Sequence, residues 1–215
     1  MNAATDNLTS KRSFYGWTML AALWGVMFLN LGFPAYGPAV LNPAMARALG
    51  LPRETLGSVF SVYMIMSGLP GPLVALSVNR VGVRRTLVLG SAFTIAGALL
   101  MATVVTSGIG AMLCYGLLVG AGVATGGAMA SQAGLARWFV RRRSLALSVM
   151  YSAGAIGGFV AAPLLNRLVQ ATGSWRAGWW LLAALSAMAA AVGSGTGRFM
   201  ATKRSRASST RGAAG

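Results

Sequence analysis

Histidine is absent from this 215-residue chain, there are two acidic residues, and cysteine occurs once. Without histidine there is no Ser–His dyad or triad, no His-ligated haem and little zinc chemistry. The acids, Asp6 and Glu54, both lie outside the apolar runs. That excludes an intramembrane aspartyl protease and leaves no buried carboxylate to relay protons. Cys114 can form no internal disulfide and says nothing about redox compartment. No Gly-x-x-x-x-Gly-Lys loop is present, so the chain carries no ATP-binding loop of that type. Charged residues make up 9% of the chain, against about 25% in soluble domains. A soluble enzyme is therefore excluded; no enzyme activity, cofactor or metal site is expected.

What remains is apolar and basic: 56% hydrophobic, with 18 Lys and Arg giving a net charge of +16. The charges cluster between uncharged runs at Ser13–Ala46, Thr55–Asn79, Thr86–Ala136, Ser144–Asn166 and Ala177–Gly197. About 20 apolar residues cross a hydrocarbon core as a helix. The 51 residues from Thr86 to Ala136 are enough for two crossings, divided at Thr106-Ser107-Gly108. The first run, interrupted by Asn30, Pro34 and Pro38, is too short for two. The expected helices are Tyr15–Val40, Leu56–Val78, Thr86–Val105, Ile109–Ala133, Leu145–Val169 and Ala177–Gly193. The class is thus an all-α polytopic membrane protein, since no ten-residue stretches alternate as a barrel requires. Residues 1–14 are read as an N-terminal tail and 196–215 as a basic disordered C-terminal tail.

Basic residues divide 14 to 4 between alternate sides, which places both termini in the cytoplasm of a multi-pass cell-membrane protein. Topogenic arginines beside anionic lipid account for the +16, so lipids are expected partners and nucleic acid is not.

Two basic loops carry family signals. The loop after the second helix reads Asn79-Arg80-Val81-Gly82-Val83-Arg84-Arg85, a tight turn at Gly82 between helix ends. It resembles the cytoplasmic loop signature of the major facilitator superfamily, Gly-x-x-x-Asp-Arg-x-Gly-Arg-Arg. Here Asn79 replaces the acid and Ala75 the leading glycine, which weakens the latch role that the resemblance implies. The loop after the fourth helix contains Arg137-Trp138-Phe139 and Arg141-Arg142-Arg143. A glycine-rich fifth helix and Gly173-Ser174-Trp175-Arg176 follow. With Tyr15-Gly16-Trp17, this order is similar to the monocarboxylate and oxalate–formate exchanger branch, over residues 14–195.

The resemblance implies six helices arranged as two inverted three-helix repeats, 15–105 and 109–195, forming half of the usual twelve-helix fold. It implies secondary transport of small organic anions such as monocarboxylates by alternating access, with a second half-transporter or a homodimer as partner. The competing expectation is a truncated, non-transporting remnant or a membrane scaffold. On the superfamily's map, the uncharged polar residues Asn30, Tyr36, Tyr63, Gln132 and Tyr151 reach substrate; the alternative for each is an interhelical hydrogen bond. Tyr36 and Tyr151 are favoured because Pro34, Pro38 and Gly154 are expected to open the packing around them. Gly120, Gly122, Gly154 and Gly158 are read as packing positions, with sliding of the fifth helix against a partner half as the functional alternative. Arg167 and Arg176, near the outer face, are expected to snorkel to headgroups or attract anions.

Overall fold

The computed structural model describes residues 20–136 and 143–212. Eight helices occupy this range: α1 (Leu20–Leu49), α2 (Arg53–Gly68), α3 (Gly71–Arg80), α4 (Val83–Thr103), α5 (108–126), α6 (Ala128–Ala136), α7 (Arg143–Thr172) and α8 (Trp175–Gly212). Among the described residues there is no strand. Five helical stretches are long and apolar enough to cross a membrane, and α2 with α3 makes a sixth if the pair is taken as one span bent by 41°. Six crossings agree with the charge-free runs, and each closes its own backbone hydrogen bonds as lipid requires.

The boundaries differ where proline and glycine matter. α1 continues nine residues past the expected end at Val40, running through Pro38 and Pro43. It stops at Gly50, whose φ of +64° is the left-handed geometry that closes a helix, with the Leu51 amide donating to the Ala46 carbonyl. The second span was expected to be continuous but breaks at Leu69-Pro70, a site marked by Gly68, Pro70, Gly71 and Pro72. α5 begins at Gly108 with the Ser107 hydroxyl accepting from the Gly110 amide, an N-cap at the expected division. The last helix continues to Gly212, although its apolar stretch ends at Ser194; the tail expected to be disordered from residue 196 is helical as far as Gly212.

Packing relies on missing side chains. A Cβ at Gly32 of α1 would lie 2.6 Å from the Gly157 Cα of α7, so the two backbones meet directly. Gly90 of α4 and Gly126 of α5 approach as closely, since a Cβ on Gly126 would sit 2.9 Å from the Gly90 carbonyl carbon. Gly122 faces Thr94, and Gly120 faces Tyr63 and Met66. In lipid, where no hydrophobic drive joins helices, such close approach supplies the van der Waals contact that does. An aromatic line crosses the bundle: Tyr63 (α2) stacks on Tyr115 (α5) at 4.7 Å, and Tyr115 meets Trp179 (α8) edge-on at 5.6 Å. These contacts supply part of the buried core.

Candidate functional site

Glycines set the contact between α1 and α7. Gly154 touches Leu31, and Gly158 packs against the Tyr36 ring. The fifth crossing's glycines therefore face α1 of the same chain, which corrects the reading of a smooth face that slides on a partner half. It also corrects the reading that Pro34, Pro38 and Gly154 loosen the packing: Pro34, Pro38 and Gly154 are buried within tight helix contacts. Tyr36 stays half exposed (51%) because Gly158 supports one side of its ring and leaves the other open. Tyr151 lies seven residues before Gly158, two turns along the same side of α7 and roughly 10 Å away by helix rise. It too is half exposed, at 44%. Two phenols thus line one exposed face.

At one end of that face the Gln132 side-chain amide of α6 donates to the Tyr151 hydroxyl. A donated proton leaves the phenol's own O–H free to donate. Trp24 Nε1 of α1 donates to the neighbouring Ser152 hydroxyl at 3.3 Å. Beside Gln132 opens a cavity of about 350 Å³ between α3 and α6. Asn79 lines it, so the position that replaces the loop motif's acid is also a cavity residue.

The remaining expected residues separate into structural roles. Asn30 is fully buried in a π-helical turn, Phe28–Gly32. Its amide donates to the Ser91 hydroxyl at 2.6 Å and, at 3.4 Å, to the Gly126 carbonyl, so it ties α1 to α4 and α5 rather than facing a ligand. Tyr63 is likewise buried beneath Tyr115. Gly82, at φ +89°, makes the expected tight turn, and Thr86 hydrogen-bonds both the Gly82 carbonyl and Ser77 across it, each at 3.0 Å. Arg80, Arg84 and Arg85 are exposed and make no side-chain hydrogen bond among the described residues. Arg137, Arg141 and Arg142 lie outside the described residues, as does the Arg143 side chain.

Arg176 has a role that the sequence did not reveal. Its guanidinium donates to the carbonyls of Ala102 (2.9 Å), Thr103 (3.0 Å) and Val105 (3.3 Å), and lies 5.0 Å from the Trp175 ring. It caps the C-terminus of α4, so it is neither snorkelling free nor available to attract anions. Only the order Trp-Arg at the start of a helix hinted at this, and its target lies 71–74 residues upstream.

Among the described residues, no cluster of His, Cys, Asp or Glu could hold a metal ion. The site's polar groups are neutral phenols and amides in a largely apolar face, suited to orienting a small ligand by hydrogen bonds.

Comparison with known proteins gives this face a context. The chain is 27% identical over 168 residues to monocarboxylate transporter 4 of Gallus gallus, an alignment covering 78% of the chain and 35% of that relative. The chain thus spans about a third of the length of this curated relative. The family model described as Major Facilitator Superfamily matches residues 13–212, which takes in all six crossings. Motif loops, six crossings and that match agree: the chain belongs to the Major Facilitator Superfamily.

Proposed function

We propose that these helices form one six-helix half of a secondary transporter for small organic anions, monocarboxylates among them, working by alternating access. The observation that carries the reading is the exposed face with Tyr36, Tyr151 and Gln132, whose uncharged donors suit a carboxylate. Membership of the superfamily and likeness to a monocarboxylate transporter support it. In this reading Tyr36 and Tyr151 orient the anion from one wall, and both ends of the bundle lie in the cytoplasm.

A second reading, a membrane scaffold that requires a partner bundle, draws on one feature. No Lys or Arg lies at the centre of a described crossing, since Arg47 and Arg167 sit near helix ends, so nothing on this wall neutralises an anion. Counterflow of labelled lactate and oxalate in proteoliposomes separates the two, with the oligomeric state fixed by cross-linking. Saturable exchange is expected from assemblies of two bundles, and Tyr151→Phe lowers it about tenfold. Exchange by a proven monomer refutes the half-transporter reading, while silence from every two-bundle assembly refutes transport.

A further inference from the structure

One stretch of α5 is wound differently from the rest and holds a buried hydroxyl without a partner. Met112–Val119 is π-helical, its amides reaching five residues back instead of four. Where the stretch ends, the Gly120 amide donates to the carbonyls of Leu117 and Tyr115, three and five residues back, and passes over Gly116. Tyr115 lies within the stretch, fully buried between Tyr63 of α2 and Trp179 of α8. Neither the Tyr115 hydroxyl nor Trp179 Nε1 has a hydrogen-bond partner among the described residues. The π-helical turn of α1 differs, because the Asn30 amide pins it to Ser91 and Gly126.

We propose that α5 has two registers, the π-helical one described and an α-helical one in which Tyr115 swings out of the core. The far part of α5 is fixed, since Gly122 and Gly126 lie against the α4 backbone at Thr94 and Gly90. When the Gly120 amide returns to its α-helical acceptor, Gly116, the residues before it turn by about 100°, one residue's arc. Gly116 then takes the place of Tyr115, Tyr115 that of Cys114, and Cys114 that of Leu113. The short loop 104–107 before α5 absorbs the one-residue displacement. Cys114 is half buried and Leu113 is 55% exposed, so both side chains that move become more accessible. Opposing terms of similar size set the balance. The shift breaks the Tyr63–Tyr115 stack and the edge contact with Trp179. It also releases the phenol from a place where its hydroxyl is unpaired, and the glycine left behind makes room for water at Trp179 Nε1. Two discrete arrangements of one packed core are what a conformational switch requires. The device opens the bundle where α2, α5 and α8 meet, whatever the bundle carries.

The test uses the full chain in nanodiscs, with the single cysteine, Cys114, carrying a trifluoroethylthio group and read by fluorine NMR. Two resonances are expected, one for each register. Tyr115→Phe keeps the ring and removes the unpaired hydroxyl, so the resonance of the α-helical register should weaken about fivefold or more. Deleting Leu113 removes the extra residue and should leave that resonance alone in the spectrum. Thermal melting confirms that each variant is folded; if the deletion does not fold, Tyr115→Phe decides by itself. A single resonance that Tyr115→Phe neither moves nor sharpens shows one fixed register and overturns the proposal. A second resonance that keeps its intensity in Tyr115→Phe overturns it as well.

Discussion

Replacing Arg176 isolates one long-range contact whose size follows from geometry. The guanidinium meets two carbonyls at 2.9 and 3.0 Å and a third at 3.3 Å, all at the end of α4. A charge-assisted bond is worth about 1.5–3 kcal/mol where water is excluded, and less where water can replace it. Arg176 is only partly buried, so each of the two shorter bonds is counted at about 0.5–1 kcal/mol. The helix dipole adds about 0.3–1 kcal/mol, and the Trp175 ring adds about 0.5 kcal/mol. Arg176→Ala should then cost ~2–3.5 kcal/mol, and at ~2–4 °C per kcal/mol for a chain of this size the melting point falls by ~4–14 °C. Arg176→Lys keeps the charge at the helix end but loses the planar fork, so it recovers about half of the loss. Cys114 provides the assay. It is the single cysteine, lies in α5 and is half buried, so a thiol-reactive dye reports melting from one known position. An Ala variant that melts within 1 °C of the parent would show that the cap contributes nothing. Equal melting of the Lys and Ala variants would remove charge from the explanation.

Two further substitutions test the packing. Gly126→Ala places a methyl against the Gly90 backbone and should lower the yield of folded protein severely, whereas Gly57→Ala, where a Cβ meets nothing, should raise the melting point by ~1–4 °C through helix propensity; equal behaviour refutes the close-approach account. Asn30→Leu removes both of its bonds, and at ~0.6–2 kcal/mol for such a link in lipid the melting point should fall by ~1–8 °C. An unchanged melting point would mean that Asn30 bears no load between α1, α4 and α5.

The crossings were legible because lipid imposes one rule, apolar length, that a charge-free run displays directly. The turn at Gly82 and the division near Ser107 were legible for a similar reason, since both depend on local chemistry. The break at Leu69-Pro70 was written in Gly68, Pro70, Gly71 and Pro72, but its apolar flanks matched one continuous span. Pro34 and Pro38 were placed within one helix, as observed beside the π-helical turn, but they misled about packing, since both are buried rather than opening the surroundings of Tyr36. Which polar residues face the open side depends on how each helix is rotated about its axis. Tyr36 and Tyr63 were alike in sequence, yet one is half exposed and the other is stacked beneath Tyr115. That rotation is set by contacts such as Gly32 on Gly157 and Gly120 on Tyr63, which join residues distant in the chain. Arg176 was the hardest to place because its partners are backbone carbonyls, which carry no sequence signature.

The Asn30 bonds also bear on the order of assembly during synthesis. Asn30 belongs to the first crossing, but its partners Ser91 and Gly126 follow it by 61 and 96 residues. At roughly 5–20 residues per second, the ribosome needs about 5–20 s to deliver the second of them. Through that interval α1 carries an amide without its final partners, and leaving such a group in hydrocarbon is costly. The first crossing should therefore remain beside the insertion machinery until α4 and α5 emerge, and the bundle should close as a group rather than one helix at a time.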